Sequence, residues 1–305
     1  MTDSTTGAAS LAHPRYWPLW LAIAITWLVA QLPWRILQGL GRALGHILWR
    51  LARSRRETAR TNIRLCFPEL STAEQEALAR EAVIQMGVAI TELAGSYCNR
   101  WVRFDKRIEI EGWEHLEAAR RNGGVLLLGV HFNTLEVAGR LLATRAPYSA
   151  VFRPNDNPLL DAFIRYGRSR YTEKYIDRQD IRALVRQLRD GRIVWYAPDQ
   201  DYGVRHAVFA PFFGHPAATI TATSRLAKMG RATVVPMGYY RLSGGRYKLV
   251  FLPPLQDFPG DDDIADATRV NSTVETLVRR APAQYLWVHR RFKHQPEGCR
   301  SPYRK

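Results

Sequence analysis

Hydrophobic positions recur with helical and strand periods along most of the chain, and the first long apolar stretch lies near the N-terminus. Residues 16–34 carry no charged side chain, which is close to the ~20 apolar residues that cross a bilayer core. Trp17 and Trp34 lie near its two ends, as interfacial aromatic residues do. We therefore predict a poorly ordered N-terminus over residues 1–15 and a membrane-anchoring helix over residues 16–36.

The next segment, residues 37–64, places leucine and isoleucine at helical spacing and carries seven arginines against the single acid Glu57. This pattern predicts a basic amphipathic helix suited to an anionic membrane surface. Positive charge beside a span is retained in the cytoplasm, so residues 37–305 are predicted to form a cytoplasmic domain. An ordinary domain helix with an arginine-rich polar face is the alternative. Pro18 and Pro33 also fit an interfacial hairpin in place of a span.

The rest of the chain alternates between strand and helix patterns. Ser71-Thr72-Ala73-Glu74 is a capping-box sequence that begins a long amphipathic helix. The predicted strands cover residues 108–110, 125–130, 148–152, 193–197, 233–240 and 247–252, and the predicted helices cover residues 113–121, 135–144, 158–171, 180–189, 217–229 and 264–280. Alternation of this kind predicts an α/β domain with a mainly parallel sheet flanked by helices.

Composition narrows the class of protein. A chain of 305 residues that is 46% hydrophobic can bury the core of one large domain or two ordinary ones. The net charge of +16 favours polyanions, meaning nucleic acid, an anionic membrane, an acidic protein or a phosphorylated substrate, without choosing among them. Three widely spaced cysteines without a Cys-x-x-Cys pair argue against a disulfide framework or a cysteine zinc site.

The strongest candidate for chemistry is His131, which follows the apolar run 125–130, with Glu136 five positions later. In an open α/β sheet, ligands bind at the carboxyl ends of the strands. A carboxylate beside an imidazole holds one tautomer and stabilises the protonated form, which suits a general base. A lone His-x-x-x-x-Glu also occurs by chance, and a histidine at a strand end is often a structural or solvated residue.

Two other groups of polar residues follow predicted strands. Arg153 and Arg168 belong to an arginine-rich segment that suggests a phosphate clamp, although a solvated basic helix explains any single arginine. Asp199 and Asp201 lie past the strand at 193–197, where paired acids orient a hydroxyl, hold a base or simply form a turn. Without a histidine at local spacing, a metal is disfavoured.

Three sequence blocks, residues 131–136, 152–161 and 194–203, together resemble the late acyltransferases of lipid A biosynthesis, in particular their lauroyl and palmitoleoyl branch. The resemblance extends from the N-terminal apolar segment to about Arg291. It implies a glycerolipid-acyltransferase-like α/β fold on the cytoplasmic face of the Gram-negative inner membrane. It also implies transfer of a fatty acyl chain from acyl carrier protein to a hydroxyacyl chain of the Kdo-bearing lipid A precursor.

The same resemblance implies roles for individual residues. His131 would be the general base and Glu136 its orienting carboxylate. Arg168 would bind a lipid A phosphate, and Asp199 would position the acceptor or brace the arginine. Arg153 and Asn155 are further candidate substrate-binding residues. The expected partners are acyl carrier protein, the lipid A precursor and anionic inner-membrane lipids, with no nucleic acid, no metal and no cofactor besides the acyl carrier protein thioester.

Other functions stay open on sequence grounds. A glycerolipid or lysophospholipid acyltransferase shares the histidine motif but usually carries a Pro-Glu-Gly-Thr-Arg-like block, which this chain lacks. Another glycolipid O-acyltransferase is harder to separate by motif. A non-enzymatic membrane-bound protein that binds lipid or nucleic acid would also explain the basic composition, but no nucleic-acid module is recognisable. Acyl chain length and acceptor position are not predicted.

Overall fold

The computed structural model describes residues 11–303, which contain a seven-stranded sheet, a two-stranded hairpin and ten α-helices. The strands are β1 (Ile108–Glu111), β2 (Val125–Leu128), β3 (Ser149–Phe152), β4 (Tyr175–Asp177), β5 (Ile193–Tyr196), β6 (Ala207–Phe212), β7 (His215–Ile220), β8 (Thr233–Arg241) and β9 (Tyr247–Phe251). The helices are α1 (Trp17–Ala30), α2 (Trp34–Leu51), α3 (Arg53–Cys66), α4 (Thr72–Cys98), α5 (Trp113–Arg121), α6 (Leu135–Ala143), α7 (Pro158–Ser169), α8 (Ile181–Arg189), α9 (Ala222–Gly230) and α10 (Asp263–Arg280).

The large sheet has the strand order β1-β9-β8-β2-β5-β3-β4, and every neighbouring pair is parallel except β8 with β9. The predicted α/β class with a mainly parallel sheet is thereby confirmed. Strand β2 lies at the centre, with Leu128 in register with Tyr196 of β5 and Pro236 of β8. The carboxyl ends of β2 and β5 therefore meet at the same edge of the sheet.

Two hydrophobic cores cover the two faces of the sheet. Val125 and Leu127 belong to the larger core, whereas Leu126 and Leu128 belong to the smaller one, as the two-residue period of a strand requires. All four side chains of β2 are fully buried. The continuous apolar run in the sequence thus reflects a strand covered by helices on both faces.

The prediction of one continuous helix over residues 16–36 is wrong, because helix α1 ends at Ala30 and a new helix begins at Trp34. The side-chain amide of Asn99 donates hydrogen bonds to the carbonyl groups of Ala30 and Leu32, which satisfies carbonyl groups at this helix end. At 14 residues, α1 is about 21 Å long, against a hydrocarbon thickness of about 30 Å. Across residues 11–303, no helix is both long enough and apolar enough to cross a membrane.

The predicted amphipathic helix over residues 37–64 is divided into α2 and α3 at Ala52, which has non-helical dihedral angles. Helix α4 is a continuous helix of 27 residues, and its predicted capping box is present between Ser71 and Glu74. Of the N-terminus predicted to be poorly ordered, residues 1–10 lie outside the described residues, and a 3₁₀ helix begins at Pro14.

Helix α2 crosses α4 at glycine residues. A Cβ atom on Gly87 would lie 2.3 Å from the backbone nitrogen of Gly45 and 2.5 Å from the carbonyl oxygen of Gly41. The two backbones therefore touch directly, and any side chain at Gly87 would force them apart. This contact holds α2 against the helix that forms one wall of the site.

The helix predicted over residues 217–229 begins only at Ala222, since residues 215–220 form strand β7. Strands β6 and β7 pair in antiparallel fashion around Phe213 and Gly214, which both have positive φ angles. Two consecutive residues with positive φ are typical of a tight two-residue hairpin turn. The short edge strand β4 was not predicted, because its three residues are too few to show a period.

Candidate active site

His131 and Asp199 meet because strands β2 and β5 are adjacent and in register. Each residue lies three positions beyond one member of the Leu128–Tyr196 pair. Both positions are therefore at the carboxyl edge of the sheet, where ligands of open α/β sheets bind. The contact joins residues 68 apart in the sequence.

Asp199 holds His131 through two hydrogen bonds. The ring nitrogen Nδ1 of His131 lies 2.6 Å from Oδ1 of Asp199, and the backbone N–H of His131 donates to Oδ2 at 2.9 Å. A carboxylate on Nδ1 keeps a proton there, so that Nε2 of the neutral imidazole carries the free lone pair. The Asp199 side chain is fully buried, whereas 23% of the His131 side chain is exposed.

The pKa of Asp199 lies below its usual value despite complete burial. Burial by itself raises the pKa, but attraction to His131 and the hydrogen bonds from its ring and backbone outweigh that effect. Asp199 therefore stays ionised at neutral pH and stabilises positive charge on the imidazole. The pair has the geometry and the electrostatics of a histidine general base with its orienting carboxylate.

Glu136 does not take the place expected for it beside His131, because its carboxylate pairs with Arg168. Both Glu136 oxygens are engaged by the guanidinium group, with Nε 3.2 Å from Oε2. The hydroxyl groups of Tyr97 and Tyr171 each donate to the same carboxylate at 2.8 Å. Of the two roles expected for Asp199, bracing the arginine is wrong, because Asp199 contacts His131 and Arg168 contacts Glu136. Positioning of the acceptor by Asp199 stays a prediction.

The Glu136–Arg168 pair is largely buried beside the cavity, and each of the two charges stabilises the other. Burial raises the pKa of Glu136, but the charge of Arg168 and the hydrogen bonds from Arg168, Tyr97 and Tyr171 lower it below its ordinary value. Glu136 lies in the first turn of α6, where the helix dipole also favours an anion. The pair links α6 to α7, which fixes one wall of the site.

Arg153 and Asn155 lie in the loop between β3 and α7. The Arg153 side chain is largely exposed, forms an ion pair with Asp156 at 3.3 Å and lines the cavity. Asn155 shapes the loop, because its backbone N–H donates to Asp161 and its side chain accepts from the backbone of Asn157. The structure thus brings Arg153 to the cavity and gives Asn155 a local role in the turn before α7.

A cavity of about 1230 Å³ opens beside His131. Its apolar wall is formed by helices α4, α6, α8 and α9, with Met86, Ile90, Leu93, Leu135, Leu142, Ile181, Leu184, Leu226 and Met229. The cavity is also lined by five arginines, Arg153, Arg168, Arg178, Arg205 and Arg225. An apolar volume with several arginines suits an amphiphile that has a hydrocarbon chain and an anionic head.

A second histidine and aspartate pair lies next to the first and was not predicted. The ring nitrogen Nδ1 of His294 is 2.7 Å from Oδ1 of Asp201, and the His294 backbone N–H donates to Oδ2 at 2.9 Å. The sequence marked Asp201 as one of two acids, but nothing in it pointed to His294. Within residues 11–303, no cluster of three or more histidine, cysteine or acidic side chains is arranged to hold a metal ion.

The chain is similar over nearly its whole length to proteins of one bacterial enzyme family. Residues 5–294 match the family described as bacterial lipid A biosynthesis acyltransferase. The chain is 40% identical to the lipid A biosynthesis lauroyltransferase of Escherichia coli (strain K12), over 99% of this chain and 100% of that protein. It is 36% identical to the palmitoleoyltransferase of the same strain, over 95% of this chain and 96% of that protein.

The crystal structure of the 1-acyl-sn-glycerophosphate acyltransferase from Thermotoga maritima is a more remote match, with 14% identity and a TM-score of 0.37 over 76% of this chain and 97% of that chain. The resemblance predicted from the three sequence blocks is confirmed by the full-length relatives. The chain therefore belongs to the bacterial lipid A biosynthesis acyltransferase family and is an acyltransferase.

Proposed function

We propose that the protein transfers a fatty acyl chain from acyl carrier protein to a hydroxyl of a hydroxyacyl chain on the Kdo-bearing lipid A precursor. The observation that carries this proposal is the His131–Asp199 pair, whose histidine lines a cavity that is also lined by apolar side chains and by five arginines. The apolar wall suits the acyl chains, and the arginines suit an anionic lipid head. The relatives' names point to lipid A as the product class.

In the proposed reaction, Nε2 of His131 accepts the proton of the acceptor hydroxyl as its oxygen attacks the thioester carbonyl carbon. A carbon–oxygen bond forms, the carbon–sulfur bond breaks, and the departing thiolate takes the proton from the imidazolium. The buried carboxylate of Asp199 stabilises the imidazolium between these two steps. This route uses the thioester as its co-substrate and needs no further cofactor.

The other residues serve as binding and positioning groups in this proposal. Arg153 is exposed at the cavity, and a lipid phosphate or carboxylate would replace the exposed Asp156 as its partner, since both groups match the guanidinium geometry. Arg168 is already neutralised by Glu136, so the pair acts by holding α6 and α7 around the cavity. Glu136 thus supports the site without touching the imidazole.

The proposed location is the cytoplasmic surface of the inner membrane, with contact through α1 and α2. Apolar side chains on these helices are exposed, among them Leu21, Leu28 and Leu51, whose exposed fractions are 63%, 63% and 77%. Arginines of α2 and α3, including Arg50 and Arg53, lie close by in the sequence and favour anionic lipids. Binding to phosphatidylglycerol vesicles but not to phosphatidylcholine vesicles is the expected result in a sedimentation assay.

The test of function is mass spectrometry of the product that the purified protein forms from the Kdo-bearing tetra-acyl precursor and a panel of acyl carrier protein thioesters. The expected result is one added acyl chain, and the panel identifies the preferred donor. A lysophospholipid acceptor in a parallel reaction tests the alternative. Turnover of the lysophospholipid, with no product from the lipid A precursor, would overturn the proposal while leaving the histidine chemistry intact.

A further inference from the structure

A second and smaller cavity, of about 410 Å³, adjoins the first. Its wall comes from the start of helix α3, from the segment after β5 and from the loop after α10, with Ser54, Arg55, Thr58, Asp201, His289, Arg290 and Lys293. Asp201 and His289 also line the large cavity, so the two spaces share a wall. The small cavity is thus a polar neighbour of the site that contains His131.

Positive charge dominates this cavity. Arg55, Arg290 and Lys293 are exposed at its wall, against the single carboxylate of Asp201. That carboxylate is only 1% exposed and accepts hydrogen bonds from the ring and backbone of His294 and from the backbone of Gly203. The acceptor sites of Asp201 are largely occupied by groups of the protein. The wall therefore carries a net positive charge from Arg55, Arg290 and Lys293.

The uncharged groups in the wall include further donors. The ring nitrogen Nε2 of His289 accepts a hydrogen bond from the backbone N–H of Asp201 at 3.0 Å, so the neutral ring carries its proton on Nδ1. The hydroxyl of Ser54 lies in the first turn of α3, at the positive end of a 14-residue helix. A guanidinium, an ammonium, a hydroxyl and an imidazole N–H form a donor set that matches an anion rich in acceptor oxygens.

We propose that the second cavity binds a phosphate ester group of one of the two substrates. The identity of the substrate rests on the proposed function, whereas the binding of phosphate does not. Two sources offer this chemistry: a phosphate on the glycolipid acceptor, and the phosphodiester through which pantetheine is joined to acyl carrier protein. Binding at this place would anchor that substrate beside His131 by a group remote from the reacting atoms.

The first experiment uses inorganic phosphate as the probe and measures the shift in thermal unfolding midpoint, with sodium chloride of equal ionic strength as the reference. The double variant Arg290→Ala/Lys293→Ala removes two cations of the wall. The matched control Arg120→Ala/Arg121→Ala removes two exposed cations at the end of α5. This helix end precedes the first residue of β2, so it lies at the amino ends of the strands, opposite to the edge that contains His131.

We expect phosphate to stabilise the wild-type protein and the control equally and to stabilise the cavity variant much less. Equal stabilisation of all three proteins would overturn the proposal, because the phosphate would then bind elsewhere. Both replaced side chains are exposed, so we expect the cavity variant to fold. A cooperative unfolding transition without phosphate verifies this. This measurement is independent of catalytic activity, so it stands even if the protein does not acylate the lipid A precursor.

The second experiment identifies the source by steady-state kinetics of the same three proteins. A rise of about tenfold or more in the KM for the glycolipid alone assigns the acceptor phosphate, and a similar rise for the thioester alone assigns the phosphodiester. Unchanged KM values for both substrates in an active variant would overturn the role in substrate binding. A wild-type protein without acyl transfer would count against the proposed function and leave the phosphate result unaffected.

Discussion

The two histidine and aspartate pairs of this protein have almost the same internal geometry. The ring-to-carboxylate distance is 2.6 Å for His131 with Asp199 and 2.7 Å for His294 with Asp201, and the backbone hydrogen bond is 2.9 Å in both. Both aspartate side chains are buried. The internal geometry of the pair therefore does not decide which histidine is placed for catalysis.

The pairs differ in what their histidines face. The His131 ring lines the 1230 Å³ cavity, whereas His294, in the loop after α10, is outside the walls of both cavities described here. His294 is even the more exposed of the two side chains, at 34% against 23%. A general base needs a substrate proton within hydrogen-bond reach, so access to an organised cavity matters more than exposure to bulk water.

The largest expected difference comes from replacing each histidine by asparagine. His131→Asn keeps a donor for Asp199 but removes the basic Nε2, so we expect kcat/KM for acyl transfer to fall by roughly 10²–10⁴-fold. His294→Asn, the same change in the second pair, should leave kcat/KM within about threefold of wild type, because His294 lies outside the cavity. An equal loss of activity in two folded variants would break the comparison.

A second prediction concerns Glu136, the carboxylate that sequence reasoning had assigned to His131. Glu136→Gln leaves the Arg168 charge partly buried without its partner, so the free energy of unfolding should fall by about 3 kcal/mol. The double variant Glu136→Gln/Arg168→Gln should lose less than the sum of the two single variants in urea unfolding. The pH profile of kcat/KM should keep its shape, since Asp199 orients the imidazole.

A shifted pH profile in Glu136→Gln with unchanged stability would contradict this assignment. It would mean that Glu136 acts on the histidine and that Asp199 does not complete the pair by itself. The comparison of stability with pH profile is informative because a residue that only supports the fold changes the first and not the second.

The smallest expected effect concerns His289, which lines both cavities and accepts a hydrogen bond from the backbone N–H of Asp201. Burial lowers the pKa of His289 from 6.5 to about 4. Its contribution to stability is therefore complete above pH 6.5 and is lost as the pH falls toward 4, because the unfolded chain binds the proton more readily. The loss should be about 2 kcal/mol after allowance for solvent screening.

Urea unfolding of the wild-type protein and of His289→Gln between pH 7 and pH 4 measures this contribution. Glutamine keeps an acceptor for the Asp201 backbone but does not titrate, so the variant should show a shallower loss of stability. The depressed pKa values of Asp199 and Glu136 act in a lower range, below the usual carboxylate values near pH 4. Parallel curves for the two proteins would show that His289 does not carry the effect.

Local patterns predicted the elements that surround the site. The buried run at β2 is continuous and apolar, the capping box at Ser71 is explicit, and most predicted helices begin within two residues of the observed ones. The errors fall where the local pattern was ambiguous. The alanine-containing segment 215–220 has a helical pattern, but its pairing with β6 makes it a strand. The apolar stretch 16–34 has the pattern of one helix, but the chain breaks after Ala30, where Asn99 binds the carbonyl groups of Ala30 and Leu32.

The sequence marked residues that the fold brings close together, but it did not give their pairing. His131, Glu136, Arg168 and Asp199 were all marked in the sequence, and all four lie near one cavity. Proximity in sequence favoured Glu136 as the partner of His131. The side chain of Glu136 lies in the first turn of α6 and pairs with Arg168, which is 32 positions further along the chain.

By itself, the sequence determined the α/β class, the central buried strand, the histidine at its carboxyl end and the family to which the chain belongs. Those properties depend on local periodicity and on sequence motifs, which can be recognised without knowledge of the tertiary contacts. The tertiary structure decided that Asp199 completes the histidine pair, that α1 ends at Ala30 and that His294 forms a second pair outside the cavities. These outcomes depend on strand order, register and hydrogen bonds between distant segments, which only the folded chain brings together.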